Sequence, residues 1–158
     1  MMHALIAALA LTGPAGSENK FCDTLKRAIA ATPGNYKSMT GKPAREQGSF
    51  ETDVQLGYGS LACTIMTGYP GVDHRLYSCV STEQTTTHSG DGRPLADEVG
   101  KCLGMTLDER TNDIGDPYYV AKVPEGAVVI SFDGVSDDTG DPKPRTWYLS
   151  LRIFPAES

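Results

Sequence analysis

The chain has 158 residues, of which 39% are hydrophobic and 22% charged, with a net charge of −6. That length suits one domain, and the balance sustains a packed core and argues against wholesale disorder. The negative charge repels nucleic acid and anionic membrane surfaces, so neither is an expected partner.

Residues 1–17, MMHALIAALALTGPAGS, read as a secretory signal peptide. Ala4 to Leu11 form a short apolar region, and Ala15, Gly16 and Ser17 supply small residues for cleavage, although His3 is the only basic side chain ahead of them. The apolar run falls short of the ~20 residues that span a bilayer. Cys22 follows Asn19-Lys20-Phe21, which is not a lipid-attachment sequence. The expectation is an exported protein, periplasmic or extracellular, with a single α+β domain over 18–158.

SENKFCDTLKRAIAATPG predicts a helix: Phe21, Cys22, Leu25, Ala28 and Ile29 share one face, with Asp23, Lys26 and Arg27 opposite. Ser17 or Asn19 caps its start and Pro33-Gly34 ends it. A polar loop, NYKSMTGKPAREQGS, precedes FETDVQLGY, where Phe50, Val54, Leu56 and Tyr58 share the parity of an edge strand. SLACTIMT and RLYSCVS follow as strands around a loop built on Tyr69-Pro70-Gly71. After the Thr- and Ser-rich stretch TEQTTTHSGDGR, PLADEVGKCLG predicts a second helix. Its apolar face is Leu95, Val99, Cys102 and Leu103, with Pro94 in the first turn and Gly104 past the end.

The last third is β. PYYVAKV and AVVISFD are joined at Pro124-Glu125-Gly126, and RTWYLSLRIF alternates Trp147, Leu149, Leu151 and Ile153 with Tyr148, Ser150 and Arg152. The order α-βββ-α-βββ predicts a two-layer α+β sandwich, an antiparallel sheet with both helices on one face.

Four cysteines in an exported chain predict two disulfides, Cys22, Cys63, Cys79 and Cys102 all contributing. No CxxC pair occurs, which argues against a zinc knuckle, an iron–sulfur cluster or a thioredoxin-type site. A tight two-residue turn at Pro70-Gly71 would put Cys63 and Cys79 on opposite faces, whereas an odd loop length returns them to one. Two pairings compete. Cys22–Cys63 with Cys79–Cys102 staples each helix to the sheet and is favoured, because a direct cross-strand bond needs an unusually close approach. Cys63–Cys79 with Cys22–Cys102 is the alternative.

No catalytic, metal or cofactor signature emerges, and no cofactor is expected. His74 follows Asp73 in a loop, but no motif places a nucleophile beside it. Gly57-Tyr58-Gly59-Ser60 lacks the spacing of a nucleophile elbow, and Asp133 to Asp141 lacks the DxDxDG pattern of a calcium loop. Charge is the distinctive feature. Residues 108–141 hold nine acids against two bases, −7, so the remainder of the chain is +1. Such a segment steers a cationic partner. The reading is an exported, non-catalytic binding protein, of inhibitor or immunity type, that meets a basic protein through Asp133, Asp137, Asp138 and Asp141, with Tyr118, Tyr119 or Tyr148 as anchors. The alternatives are a small envelope hydrolase using His74 and nearby carboxylates, and a structural or chaperone-like envelope protein acting through a sheet edge.

Overall fold

The computed structural model describes residues 15–69, 71, 73–83, 92–113, 115–135 and 146–156; the side chains of 15–19 and 135 are not described. The signal-peptide expectation therefore falls, apart from 15–17, outside the described residues.

Helix α1 runs Ala15–Ala30 and α2 runs Arg93–Leu103. Both bury most of the expected stripe: Phe21, Leu25, Ala28 and Ile29 on α1, and Leu95, Val99 and Cys102 on α2, with Ala96 beside them, while Cys22 and Leu103 are half-buried against the core. Pro94 sits in the first turn of α2, and Gly104, at φ 67°, closes it in the left-handed region that glycine enters without cost.

Among the described residues, seven strands form one antiparallel sheet: β1 Ser49–Glu51, β2 Leu61–Met66, β3 Leu76–Ser81, β4 Asp108–Thr111, β5 Pro117–Val123, β6 Gly126–Val135 and β7 Thr146–Pro155, in the order β1-β2-β3-β7-β6-β5-β4. Two meanders thus meet at the β3–β7 pair, and the last strand of the chain lies inside the sheet. The α+β class and two-layer build hold, with one strand more than the sequence announced. β4, with the sequence DERT, is exposed at all four positions and carries no apolar period to betray it. FETDVQLGY departs from expectation in the other direction. It pairs only as far as Glu51, because the Thr52 hydroxyl accepts the Val54 N–H at 3.2 Å and turns the chain away. Val54 and Leu56 are still buried, but in irregular backbone.

One face of the sheet carries Cys63, Ile65, Tyr77, Cys79, Leu151, Ile153, Val128, Ile130, Tyr119 and Ala121, and these form the core with α1 and α2. Trp147 continues that face opposite Gly134, where a Cβ would come within 2.9 Å of the indole; the ring also stacks on Phe132 at 6.0 Å.

The favoured cysteine pairing is corrected. Cys22 bonds Cys102, with Cα atoms 5.1 Å apart, and Cys63 bonds Cys79, 3.9 Å apart. Residues 67–75 separate β2 from β3, an odd number, so Cys63 and Cys79 fall directly opposite on the helix-facing side. The two helix cysteines, on the apolar stripes of neighbouring helices, then meet each other. One bridge clips the hairpin and the other ties the helices together.

Candidate functional site

The acids of the 108–141 segment are scattered by the fold to several places. Asp108 and Glu109 stand on β4, and Asp113 and Asp116 in the turn that follows it. The turn is held by Asn112, whose N–H donates to the Asp116 carbonyl at 3.0 Å while its side-chain oxygen accepts the Asp116 N–H at 2.8 Å. Gly115, at φ 90°, donates to the Asn112 carbonyl and supplies the left-handed residue that this hairpin needs. Residues 108–116 carry four acids and one base, Arg110, for a net of −3 at one rim of the sheet.

Beside β4 an open groove of about 890 Å³ runs between the edge strand and α2. Ala96, Gly100, Leu107 and Tyr119 contribute its apolar lining, and Met105, 38% exposed, stands at its mouth. Arg93 donates to Glu109 at 2.7 Å and lies over the Tyr119 ring at 5.4 Å, fastening α2 to the edge. Asp97 and Lys101 complete the rim.

Asp133 is elsewhere, on the outer face of the sheet within a half-buried polar network. Its carboxylate accepts Arg152 Nη1 at 3.0 Å and the Ser150 hydroxyl at 2.9 Å. Ser150 spends its one proton there, so the 2.8 Å contact with Ser131 is donated by Ser131. Burial works against the charge on Arg152, but Asp133 beside it holds the guanidinium pKa above its ordinary value. Tyr69 lies over the same guanidinium at 5.6 Å. Among the described residues, Arg152 Nε and the buried Ser78 hydroxyl have no hydrogen-bond partner; the two residues oppose each other across β3 and β7.

Tyr118 and Tyr148 are half-buried on this outer face, Tyr118 opposite Ser131 and Tyr148 opposite Asp133. Tyr119 points to the helix side and is only 3% exposed. The three tyrosines therefore do not form one patch, and Asp137, Asp138 and Asp141 lie outside the described residues. Arg93, Met105 and Leu107 were not expected at a site. The available signal was Gly100, where the missing side chain admits the segment after α2: a Cβ there would lie 2.6 Å from the Met105 carbonyl oxygen.

His74 and Asp73 are exposed and line, with Lys122, a shallow concavity of about 670 Å³ in which no described hydroxyl or thiol takes part. No described group of His, Cys, Asp and Glu is placed to hold a metal ion, and no described helix is long and apolar enough to cross a membrane. The chain matches no family model, no curated protein and no solved structure.

Proposed function

We propose that the protein is an exported, non-catalytic binding protein that engages a basic protein through the acidic rim formed by β4 and its turn. The observation that carries this reading is the exposed run Asp108 to Asp113, next to a groove of mixed apolar and charged lining and at an edge of the sheet. Acids over a flat surface set orientation and association rate, while buried apolar contacts hold a complex together; the rim and the groove supply one of each. Two disulfides suit a protein that works in an oxidising compartment. An inhibitor or immunity-type protein acting on a basic envelope enzyme fits these features.

The test is capture from the exported fraction of the native cells at low and high ionic strength, with the bound protein identified by mass spectrometry. One basic protein is expected, released by salt and lost when Asp108 and Asp113 are both replaced by Lys. Capture indifferent to salt and to the double substitution would sink the reading.

A further inference from the structure

We propose that the outer edge of β4 receives an extended cationic segment of the partner as an eighth strand. The inference rests on the binding role proposed above and gives it a geometry.

The two rims of the sheet are finished differently. At the β1 rim the chain covers its own edge: Gly41 N–H donates to the Glu51 carbonyl at 2.7 Å, Glu51 N–H to the Lys42 carbonyl at 2.9 Å, and Ala44 N–H to the Ser49 carbonyl at 2.9 Å. At the β4 rim no described segment does this. The bond from Asn112 N–H to the Asp116 carbonyl fixes the ladder's phase. Hydrogen-bonded pairs then recur at Arg110–Tyr118 and Asp108–Val120, so the peptide groups of Glu109 and Thr111 face outward. All four residues of β4 are exposed.

An added strand would align its peptides with Glu109 and Thr111, and its alternate side chains would fall on the helix side, where Leu107 and Met105 border the groove. Its remaining side chains would fall on the outer face across from Asp108, Arg110 and Asn112. Arg110, 3.9 Å from Asp108, repels a cation directly opposite it, so Lys or Arg is favoured at the two ends of that row, beside Asp108 and toward the Asp113–Asp116 turn. A second copy of this chain is the poorer occupant. Antiparallel pairing of two β4 edges about a two-fold puts Glu109 against Glu109, or Arg110 against Arg110, or Glu109 across from Asp113. The charges on the edge thus discourage self-pairing while admitting a strand of opposite sign.

The experiment uses the full chain and an array of acetylated hexapeptides alternating Lys or Arg with Val, Ile, Leu or Tyr. A binding peptide is expected to slow exchange of the Glu109 and Thr111 amide protons. Binding should fall about tenfold when alternate peptide nitrogens are methylated, and as much in Thr111→Pro, which deletes one outward N–H at an edge position without changing charge. Thr111→Val should bind as the parent does. Because Thr111→Pro can perturb the hairpin, the methylated peptide provides the measurement that leaves the protein untouched. Equal binding of methylated and unmethylated peptides, or no binder in the array, overturns the added strand. Equal binding that still disappears at high salt and in the Asp108→Lys, Asp113→Lys variant overturns the strand and leaves the acidic rim standing, whereas binding insensitive to all three removes both.

Discussion

Gln55 and Cys63 are bonded to each other twice: the side-chain oxygen of Gln55 accepts the Cys63 N–H at 2.8 Å, and its amide donates to the Cys63 carbonyl at 2.9 Å. These are the contacts that a longer β1 would have made, because Cys63 and Cys79 form a pair whose peptide groups face away from each other. Thr52 ends β1 one residue too early, and one carboxamide replaces the missing strand. Gln55→Ala should cost about 1–2 kcal/mol, since two partly buried peptide groups lose their partners. Thermal unfolding monitored by circular dichroism should shift down by about 3–6 °C. An unchanged midpoint would mean that water replaces the carboxamide without loss.

The two bridges should contribute unequally. Cys22–Cys102 closes a separation of 80 residues and Cys63–Cys79 one of 16. Chain entropy gives about 4–5 kcal/mol for the longer loop and about 3 kcal/mol for the shorter. Replacing Cys22 and Cys102 with Ala is therefore expected to lower the denaturant midpoint more than replacing Cys63 and Cys79. Non-reducing proteolysis with mass spectrometry should yield linked peptides for these two pairs alone, and a Cys22–Cys63 link would contradict the structure.

Much of this was legible in the residues. The apolar stripes of α1 and α2, the alternation of β7 and the turn at Glu125 emerge where read, because local burial pattern and local structure coincide there. Cysteine pairing was not legible in the same way. It depends on whether residues 67–75 make an odd or an even connection, and Pro70-Gly71 alone leaves that open. β4 escaped because an exposed edge strand has no buried face to impose a period on DERT. The acidic segment was plain as composition, yet composition does not say that Asp133 reaches Arg152 on another strand, or that adjacent Tyr118 and Tyr119 take opposite faces. Those facts belong to register.

Asp133 illustrates the difference between acidic and available. Its side chain is 30% exposed and that of Arg152 14%. Asp133→Ala would strand a largely buried guanidinium whose Nε has no partner among the described residues, and should cost about 2–4 kcal/mol. Asp133→Asn keeps an acceptor for Ser150 and Arg152 and should cost about 1 kcal/mol. Since Asp133 spends its charge internally, Asp133→Asn is expected to leave capture of a basic partner unchanged, while Asp113→Lys weakens it. Chemical denaturation beside the capture assay separates the two effects; an Asp133→Asn variant of normal stability that loses capture would place Asp133 in the interface after all.

Alkaline pH should unfold the protein through its interior tyrosines. Asn35 and Tyr36 both take left-handed backbone, at φ 53° and 56°, and Tyr36 is fully buried, donating to the Ile153 carbonyl at 3.0 Å with its oxygen 3.0 Å from Thr32 Oγ1. Burial pushes its pKa up from 10.0 to about 12, against the smaller lowering effect of its hydrogen bonds. Burial also raises Tyr77, whose hydroxyl donates to the Val54 carbonyl at 2.8 Å. A phenol that ionises less readily when folded keeps its proton in the native state while the unfolded chain releases it. Its stabilisation is complete below pH 10 and is lost as pH climbs toward 12, a loss of about 2–3 kcal/mol from Tyr36 alone. Tyrosinate absorbance should accordingly show these two rings ionising together with the loss of secondary structure. Tyr36→Phe should cost about 1 kcal/mol at neutral pH through the lost hydrogen bonds, yet decline less steeply above pH 10. Equal alkaline slopes in the parent and the variant would show that Tyr36 ionises without unfolding.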